Sequence, residues 1–103
     1  MLGKDKIIGY IFTHIIDKDM QILNFAIDIA YQHQGYGEKL LSYFMNQLDE
    51  DICIILEVRK SNFPAINLYL KFGFSELGIR EKYYSDGEDA IVMKRECLTH
   101  GVV

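Results

Sequence analysis

A single carboxylate interrupts the most apolar stretch of this 103-residue sequence. Glu57 follows the apolar residues 54–56 and precedes Val58, in a run typical of a central strand buried on both faces. Burial disfavours a charged carboxyl group and raises its pKa, the direction that a general base working near neutral pH needs. The alternative is a glutamate at a strand end that pairs with Arg59 or Lys60 or lies on a solvated edge, and the residues alone favour it.

A loop with two glycines offers a second place for chemistry, just before a predicted helix. It reads Gln32-His33-Gln34-Gly35-Tyr36-Gly37. Glycines let a ligand approach the backbone, and a helix start presents unpaired N–H groups at the positive end of its dipole. Such a loop can bind phosphate oxygens, although a tight turn would use the same glycines. It is too short for a Rossmann fingerprint and lacks the Lys-Ser/Thr ending of a Walker loop.

A third candidate is Tyr69, which lies in a second predicted helix. Its spacing from Ile66 and Phe72 places it on the apolar face of that helix, so core packing accounts for it. A tyrosine hydroxyl at the edge of a pocket could instead donate a proton.

The histidines and cysteines show no comparable pattern. His14, His33 and His100 lie in separate parts of the chain without ligand spacing, and Cys53 and Cys97 form no C-x-x-C pair. We therefore expect reduced thiols and no bound metal.

The elements that must position these residues follow from hydrophobic periodicity and turn residues. The predicted strands cover residues 7–16, 21–29, 52–58, 74–84 and 89–95. One helix is predicted from Gly35 to about Leu48, and a second from Ser61 or Asn62 to a stop at Gly73. Residues 85–88 have the composition of a hairpin turn. The order β-β-α-β-α-β-β predicts a mixed α/β sheet.

Composition and charge fit one small globular domain over residues 1–103. The chain carries 11 Lys and Arg against 15 Asp and Glu, a formal net charge of −4, and 50% of its residues are hydrophobic. This length supports one hydrophobic core and little more. The acidic balance argues against nucleic acids and anionic membranes as partners. The sequence shows neither an apolar run of membrane-spanning length nor a signal peptide, so we expect a cytoplasmic protein.

Several motifs, in this order, resemble the GNAT family of acetyl-CoA-dependent N-acetyltransferases over about residues 7–96. The loop at residues 32–37 is similar to the family's acyl-CoA loop, Q/R-x-x-G-x-G/A, and Leu68-Tyr69 with Gly73-Phe74 is similar to its second signature. Residues 56–69 and 83–90 look most like the RimI-type enzymes, which acetylate protein N-terminal α-amines such as that of a ribosomal protein. The resemblance implies a mixed, mostly antiparallel sheet with flanking helices, with acetyl-CoA as cosubstrate and no metal.

The same resemblance implies a role for each matching residue. Glu57 matches the proton acceptor and Tyr69 the proton donor, so that the amine attacks the thioester directly. Tyr83 and Tyr84 match residues that line the acceptor site. The cofactor-binding residues that it implies are Phe25, Ala26 and Ile27 on a strand, His33, Gln34, Gly35, Tyr36, Gly37 and Glu38 at the loop, and Asn62 at the second helix.

Two departures from the family pattern accompany the resemblance. Relatives often carry arginine near residues 32–34, so phosphate binding here would rely on backbone N–H groups, with Lys39 assisting. Only six residues precede the strand predicted at residue 7, where family members usually have a strand, two helices and another strand. We therefore expect an N-terminally truncated fold, either a fragment or one completed by a homodimer or a partner subunit. Two other functions stay open: acetylation of a small amine or a lysine side chain, and an inactive module that binds CoA or a partner.

Overall fold

The computed structural model describes residues 2–3, 6–7, 9–16, 19–27, 32, 35–48 and 52–96. Its elements, in chain order, are β1 (Leu2–Gly3), β2 (Lys6–Ile7), β3 (Gly9–Ile16), β4 (Asp19–Ile27), α1 (Tyr36–Asn46), β5 (Cys53–Arg59), α2 (Phe63–Lys71), β6 (Ser75–Arg80) and β7 (Ala90–Arg95). Neither helix of this described part is long and apolar enough to cross a membrane.

Five strands form one sheet in the order β3-β4-β5-β7-β6. Three of its four strand pairs are antiparallel, and β4 and β5 are parallel, joined by the crossover that contains α1. The predicted mixed, mostly antiparallel sheet with flanking helices is therefore confirmed, with its predicted element order. The short pair β1 and β2 forms a separate two-stranded ladder, which the sequence did not predict.

Two predicted strands are too long. The strand predicted over residues 7–16 begins at Gly9, because Ile7 pairs with Leu2 in the separate ladder. The strand predicted over residues 74–84 ends at Arg80, because the chain turns at Lys82, whose φ is 49°. The predicted turn at residues 85–88 does form, since the N–H of Gly87 donates to the carbonyl of Tyr84 and the N–H of Tyr84 to that of Glu88, but it lies inside a longer loop over residues 81–89.

The core lies between the sheet and both helices. Burial alternates along β5, so that Ile54, Leu56 and Val58 face the helices while Glu57 and Arg59 face the other side. The helices contribute Leu41 from α1 and Tyr69 from α2, which accounts for their amphipathic patterns. The buried cluster comprises Met20, Ile22, Leu41, Ile54, Leu56, Val58, Tyr69, Phe74 and Met93.

The parallel pair separates partway along its length. Pairing between β4 and β5 runs from Asp19–Cys53 to Ile22–Leu56, and among the described residues none of 23–27 pairs with β5. Both strands nevertheless continue, β4 to Ile27 and β5 to Arg59. The divergence opens a gap in the sheet edged by peptide groups of β4, which can hydrogen-bond a ligand.

Candidate active site

Glu57 lies beside this gap and is held at both carboxylate oxygens. Its side chain is only 10% exposed. The Gln21 amide donates a hydrogen bond of 3.3 Å to Oε1, and the Tyr83 hydroxyl donates one of 2.9 Å to Oε2. Arg80 Nε lies 4.0 Å from Oε1. These contacts fix the orientation of the carboxylate at the edge of the gap.

The alternative in which Glu57 pairs with Arg59 or Lys60 is wrong. Arg59 instead donates hydrogen bonds to Asp86 and Glu88. Side chains alternate between the two faces of a strand, so Glu57 and Arg59, two residues apart, lie on the same face of β5. They nevertheless contact different groups. The loop that follows β6 supplies those partners for Arg59, so Glu57 is left to Tyr83 and Arg80.

A cleft of about 370 Å³ fills the gap between β4 and β5. Glu57 lines it together with Tyr69, Tyr84, Asn62 and Phe25. Tyr69 comes from the helix side of the sheet and Glu57 from the opposite side, so both reach one cavity only because the strands have separated. The structure thus brings the expected proton acceptor, Glu57, and the expected proton donor, Tyr69, to the same cleft.

Tyr69 belongs to both the core and the cleft. Its ring centroid lies 6.2 Å from that of Phe25 and 5.5 Å from that of Phe74, and the residue is 6% exposed. Burial raises the pKa of Tyr69 to about 12, with a smaller contribution from Tyr84. The hydroxyl therefore stays protonated throughout the physiological range and can act as a hydrogen-bond donor.

A second cleft, of about 390 Å³, continues from the first toward the start of α1. The two clefts share Phe25, Asn62 and Ala65. The second cleft is also lined by Gln32, Gly35, Gly37, Glu38, Pro64 and Leu68. Together they form one elongated cavity, with the loop glycines at one end and Glu57 at the other, large enough for a small-molecule ligand.

The loop end of this cavity is shaped by backbone conformation. Gly35 is the N-cap of α1 and has a φ of 82°. Because glycine has no side chain, α1 has no side-chain hydrogen bond at its N-cap. Tyr36 is the first residue of α1, and the ammonium group of Lys39 lies 5.4 Å from its ring centroid. The carboxylate of Glu38 pairs with Lys71 Nζ at 2.7 Å, which offsets its negative charge beside the cavity.

Asn62 connects the cavity to α2. Its Oδ1 accepts a 3.3 Å hydrogen bond from the backbone N–H of Ala65, which makes Asn62 the N-cap of the helix. The helix cap uses only the Oδ1 oxygen of the Asn62 amide. The same side chain lines both clefts and also carries the Nδ2 donor group.

Some expected site residues cannot be placed against the cavity. Ala26 and Ile27 lie on β4, opposite Tyr10 and Gly9 in the ladder with β3. His33, Gln34, Cys97 and His100 lie outside the described residues. Within the described part of the chain, no three His, Cys, Asp or Glu side chains come close enough to hold a metal ion, and Cys53 is a free thiol.

Sequence reasoning missed the residues that hold the site together. Gln21 and Arg80 contact Glu57, and Arg59 reaches Asp86 and Glu88. A faint signal was present in the two acids of residues 85–88, which composition assigned only to a turn. The contacts of Glu57 span 36 and 26 residues, which no local pattern encodes.

Residues 2–74 match the model of the Acetyltransferase (GNAT) family, and the chain therefore belongs to this family. The expected family resemblance is confirmed. The chain is 40% identical, over 93 residues, to the ribosomal protein bS18-alanine N-acetyltransferase of Escherichia coli K12, and the match covers 85% of this chain and 63% of that protein. The chain thus spans less than two thirds of the length of this relative.

Solved structures agree with the fold. The crystal structure of the ribosomal-protein-S18-alanine N-acetyltransferase from Escherichia coli superimposes with a TM-score of 0.85 at 34% identity, covering 99% of this chain and 70% of that one. A GNAT family acetyltransferase from Elizabethkingia anophelis with acetyl-CoA bound gives a TM-score of 0.81 over 92% of this chain and 72% of that one. At 23% identity, this second likeness shows the fold alone.

Proposed function

We propose that this chain is an acetyl-CoA-dependent N-acetyltransferase that acetylates the N-terminal α-amine of a protein, with residues 1–103 forming one domain. The observation that carries the proposal is the single cleft that holds both Glu57 and Tyr69 where β4 and β5 separate. The Escherichia coli relative acts on an alanine of ribosomal protein bS18. The activity of that relative and the geometry of the cleft support the same reaction.

The elongated cavity would hold acetyl-CoA along its length. Gly35 and Gly37 and the first turn of α1 would receive the phosphates through backbone N–H groups. Peptide groups of β4 beyond its pairing with β5, including those at Phe25, Ala26 and Ile27, would hydrogen-bond the pantetheine arm. Asn62 would donate from Nδ2 at the junction of the two clefts. When bound, acetyl-CoA supplies the activated acetyl thioester.

Glu57 would accept the proton that the acceptor amine must lose. A protein α-amine has a pKa of about 7.7–8.0 and is largely protonated near neutral pH. The carboxylate, already oriented by Gln21 and Tyr83, would take that proton directly or through one water. Tyr84 in the cleft and Tyr83 at Glu57 would form the acceptor side of the site.

Tyr69 would donate a hydrogen bond to the departing sulfur. Its pKa of about 12 lies well above the value of about 8.5 for an ordinary thiol. Complete proton transfer from this phenol to a thiolate is therefore uphill, whereas a hydrogen bond from it stabilises the developing charge. This refines the expected role of proton donor into that of hydrogen-bond donor, with solvent completing the protonation.

Peptide acetylation tests the proposal. The chain is incubated with acetyl-CoA and a peptide library varied at its first two residues, and CoA release is followed. Matched peptides with a blocked α-amine and a free lysine serve as controls. Release that requires the free α-amine supports the proposal. Release with the blocked peptides indicates a lysine acetyltransferase, and CoA binding without release indicates a small-amine acetyltransferase or an inactive module.

A further inference from the structure

We propose that Arg59 is a positioning residue that ties the loop at residues 81–89 to the end of β5 and thereby holds Tyr83 and Tyr84 at the cleft. The inference rests on the proposed function, because it gives this contact a role in binding the acceptor. Arg59, Asp86 and Glu88 together form a unit that we call the Arg59 clamp.

One guanidinium nitrogen joins the two acidic residues of the loop. Arg59 Nη1 lies 2.8 Å from Asp86 Oδ2 and 3.0 Å from Glu88 Oε1. The two carboxylates are thereby brought close together, and like charges at this separation repel each other. The Glu88 backbone N–H and, to a smaller extent, Arg59 lower the pKa of Asp86, while hydrogen bonds from Ser61 and, to a smaller extent, Arg59 lower the pKa of Glu88. Removing the guanidinium would leave two adjacent anions and favour opening of the loop.

The same guanidinium stacks on an aromatic residue of the loop. The Cζ atom of Arg59 lies 4.1 Å from the ring centroid of Tyr84, within cation–π range. The ring of Tyr84 packs edge-on against that of Tyr83 at 5.1 Å. Arg59 therefore contacts the cleft tyrosine directly and acts on its neighbour through that ring. A lysine would keep the charge but lose the planar surface and the fork of donors.

Backbone hydrogen bonds extend the clamp to the turn before α2. Glu88 Oε2 accepts from the N–H of Ser61 at 2.8 Å, and the N–H of Lys60 donates to the carbonyl of Asp89 at 3.1 Å. The turn at Lys60 and Ser61 leads directly to Asn62, the cap of α2. The loop is thus held to the strand end from which both Glu57 and Asn62 are positioned.

The clamp lies outside the core, so it can be loosened without unfolding the sheet. The side chains of Arg59 and Asp86 are 40% and 60% exposed, and exposed ion pairs contribute little to global stability. The pairing of β5 with β7 depends on its own ladder of backbone hydrogen bonds and on buried residues such as Leu56 and Met93. Loss of the clamp should therefore change the loop much more than the fold.

Amide hydrogen exchange tests the clamp without requiring activity. The variants are Arg59→Gln, Arg59→Lys and the control Lys94→Gln, which breaks the separate Lys94–Glu96 pair. Arg59→Gln should make the amides of Ser61 and Gly87 exchange about tenfold faster, while the β5 and β7 amides keep their rates. In Arg59→Lys the Ser61 and Gly87 amides should exchange at an intermediate rate. In Lys94→Gln they should exchange at the wild-type rate. Unchanged loop amides, or equal acceleration in β5 and β7, would overturn the inference.

Steady-state kinetics test its consequence for the acceptor. Arg59→Gln should raise KM for the peptide about tenfold and change KM for acetyl-CoA less than about twofold, with part of the loss recovered in Arg59→Lys. An equal rise in both constants, or an unchanged peptide KM, would contradict a positioning role. If the wild-type chain shows no turnover, the proposed function has failed, and hydrogen exchange alone decides whether Arg59 holds the loop.

Discussion

The Tyr83 hydroxyl donates a 2.9 Å hydrogen bond to Glu57 Oε2 and thereby joins a loop after β6 to the middle of the β5 strand. Gln21 holds the other oxygen from β4. The carboxylate is thus supported by β4, just before that strand separates from β5, and by the loop over residues 81–89. This geometry suits a group that must receive a proton from an amine entering the gap between the two strands.

Replacing Glu57 with glutamine tests its role as general base. The substitution preserves size and one acceptor oxygen but removes the ability to take a proton. We expect kcat/KM for peptide acetylation to fall about 10²- to 10⁴-fold, the usual range for loss of a general base. Steady-state assays of CoA release measure this. Glu76→Gln, on exposed β6, is the control and should keep wild-type kinetics. Equal activities of the two variants would remove Glu57 from the mechanism.

Ionisation of Tyr83 reports on the same hydrogen bond. The bond to the Glu57 carboxylate raises the pKa of Tyr83, because only the protonated phenol can donate it. The stabilisation of the fold by this hydrogen bond is complete at pH values below the ordinary tyrosine pKa of about 10. It is lost as the pH rises through the raised pKa of Tyr83. In Glu57→Gln, the midpoint of Tyr83 ionisation should therefore fall. Tyrosine-selective NMR titration measures it, with Tyr83→Phe to assign the signal. An unchanged midpoint would show that the bond is not formed in solution.

Replacing Tyr69 with phenylalanine separates chemistry from packing. The ring keeps its contacts with Phe25 and Phe74, so thermal stability should change little. Loss of the hydroxyl should lower kcat about 10- to 100-fold, with little change in the dissociation constant of acetyl-CoA. Turnover assays measure kcat, and calorimetry measures thermal stability and the dissociation constant of acetyl-CoA. Tyr43→Phe on the exposed side of α1 is the control. A large loss of stability with unaltered kcat would assign Tyr69 to the core alone.

Two glycines offer a matched test of the loop before α1. A Cβ atom at Gly35 or at Gly78 would meet no atom within 4 Å, but only Gly35 has a positive φ, of 82°. Gly35→Ala should therefore lower the free energy of unfolding by about 1–2 kcal/mol through backbone strain and weaken acetyl-CoA binding several-fold. Gly78→Ala should do neither. Urea unfolding and calorimetric titration measure both variants. Equal behaviour would show that the left-handed conformation at Gly35 has no part in binding.

Local patterns predicted the fold better than the site. The apolar run of β5 and the Asn62 cap of α2 are encoded within a few residues, and both elements form close to where they were expected. The end of β6 was misplaced because the turn at Lys82 is held by a contact between its N–H and the Asp89 carboxylate, seven residues away. The partners of Glu57 were missed for the same reason. Periodicity locates an element and its buried face, whereas side-chain partners depend on topology.

Mass spectrometry of a peptide after incubation with acetyl-CoA tests the central claim most directly. A peptide with both a free α-amine and an internal lysine is incubated with wild-type chain or with Glu57→Gln, and the acetylated nitrogen is located by fragmentation. We predict that the wild-type chain adds one acetyl group, on the α-amine, and releases an equal amount of CoA. Glu57→Gln should form the same product far more slowly. Acetylation of the lysine, or an unmodified peptide with wild-type chain that binds acetyl-CoA, would contradict this account.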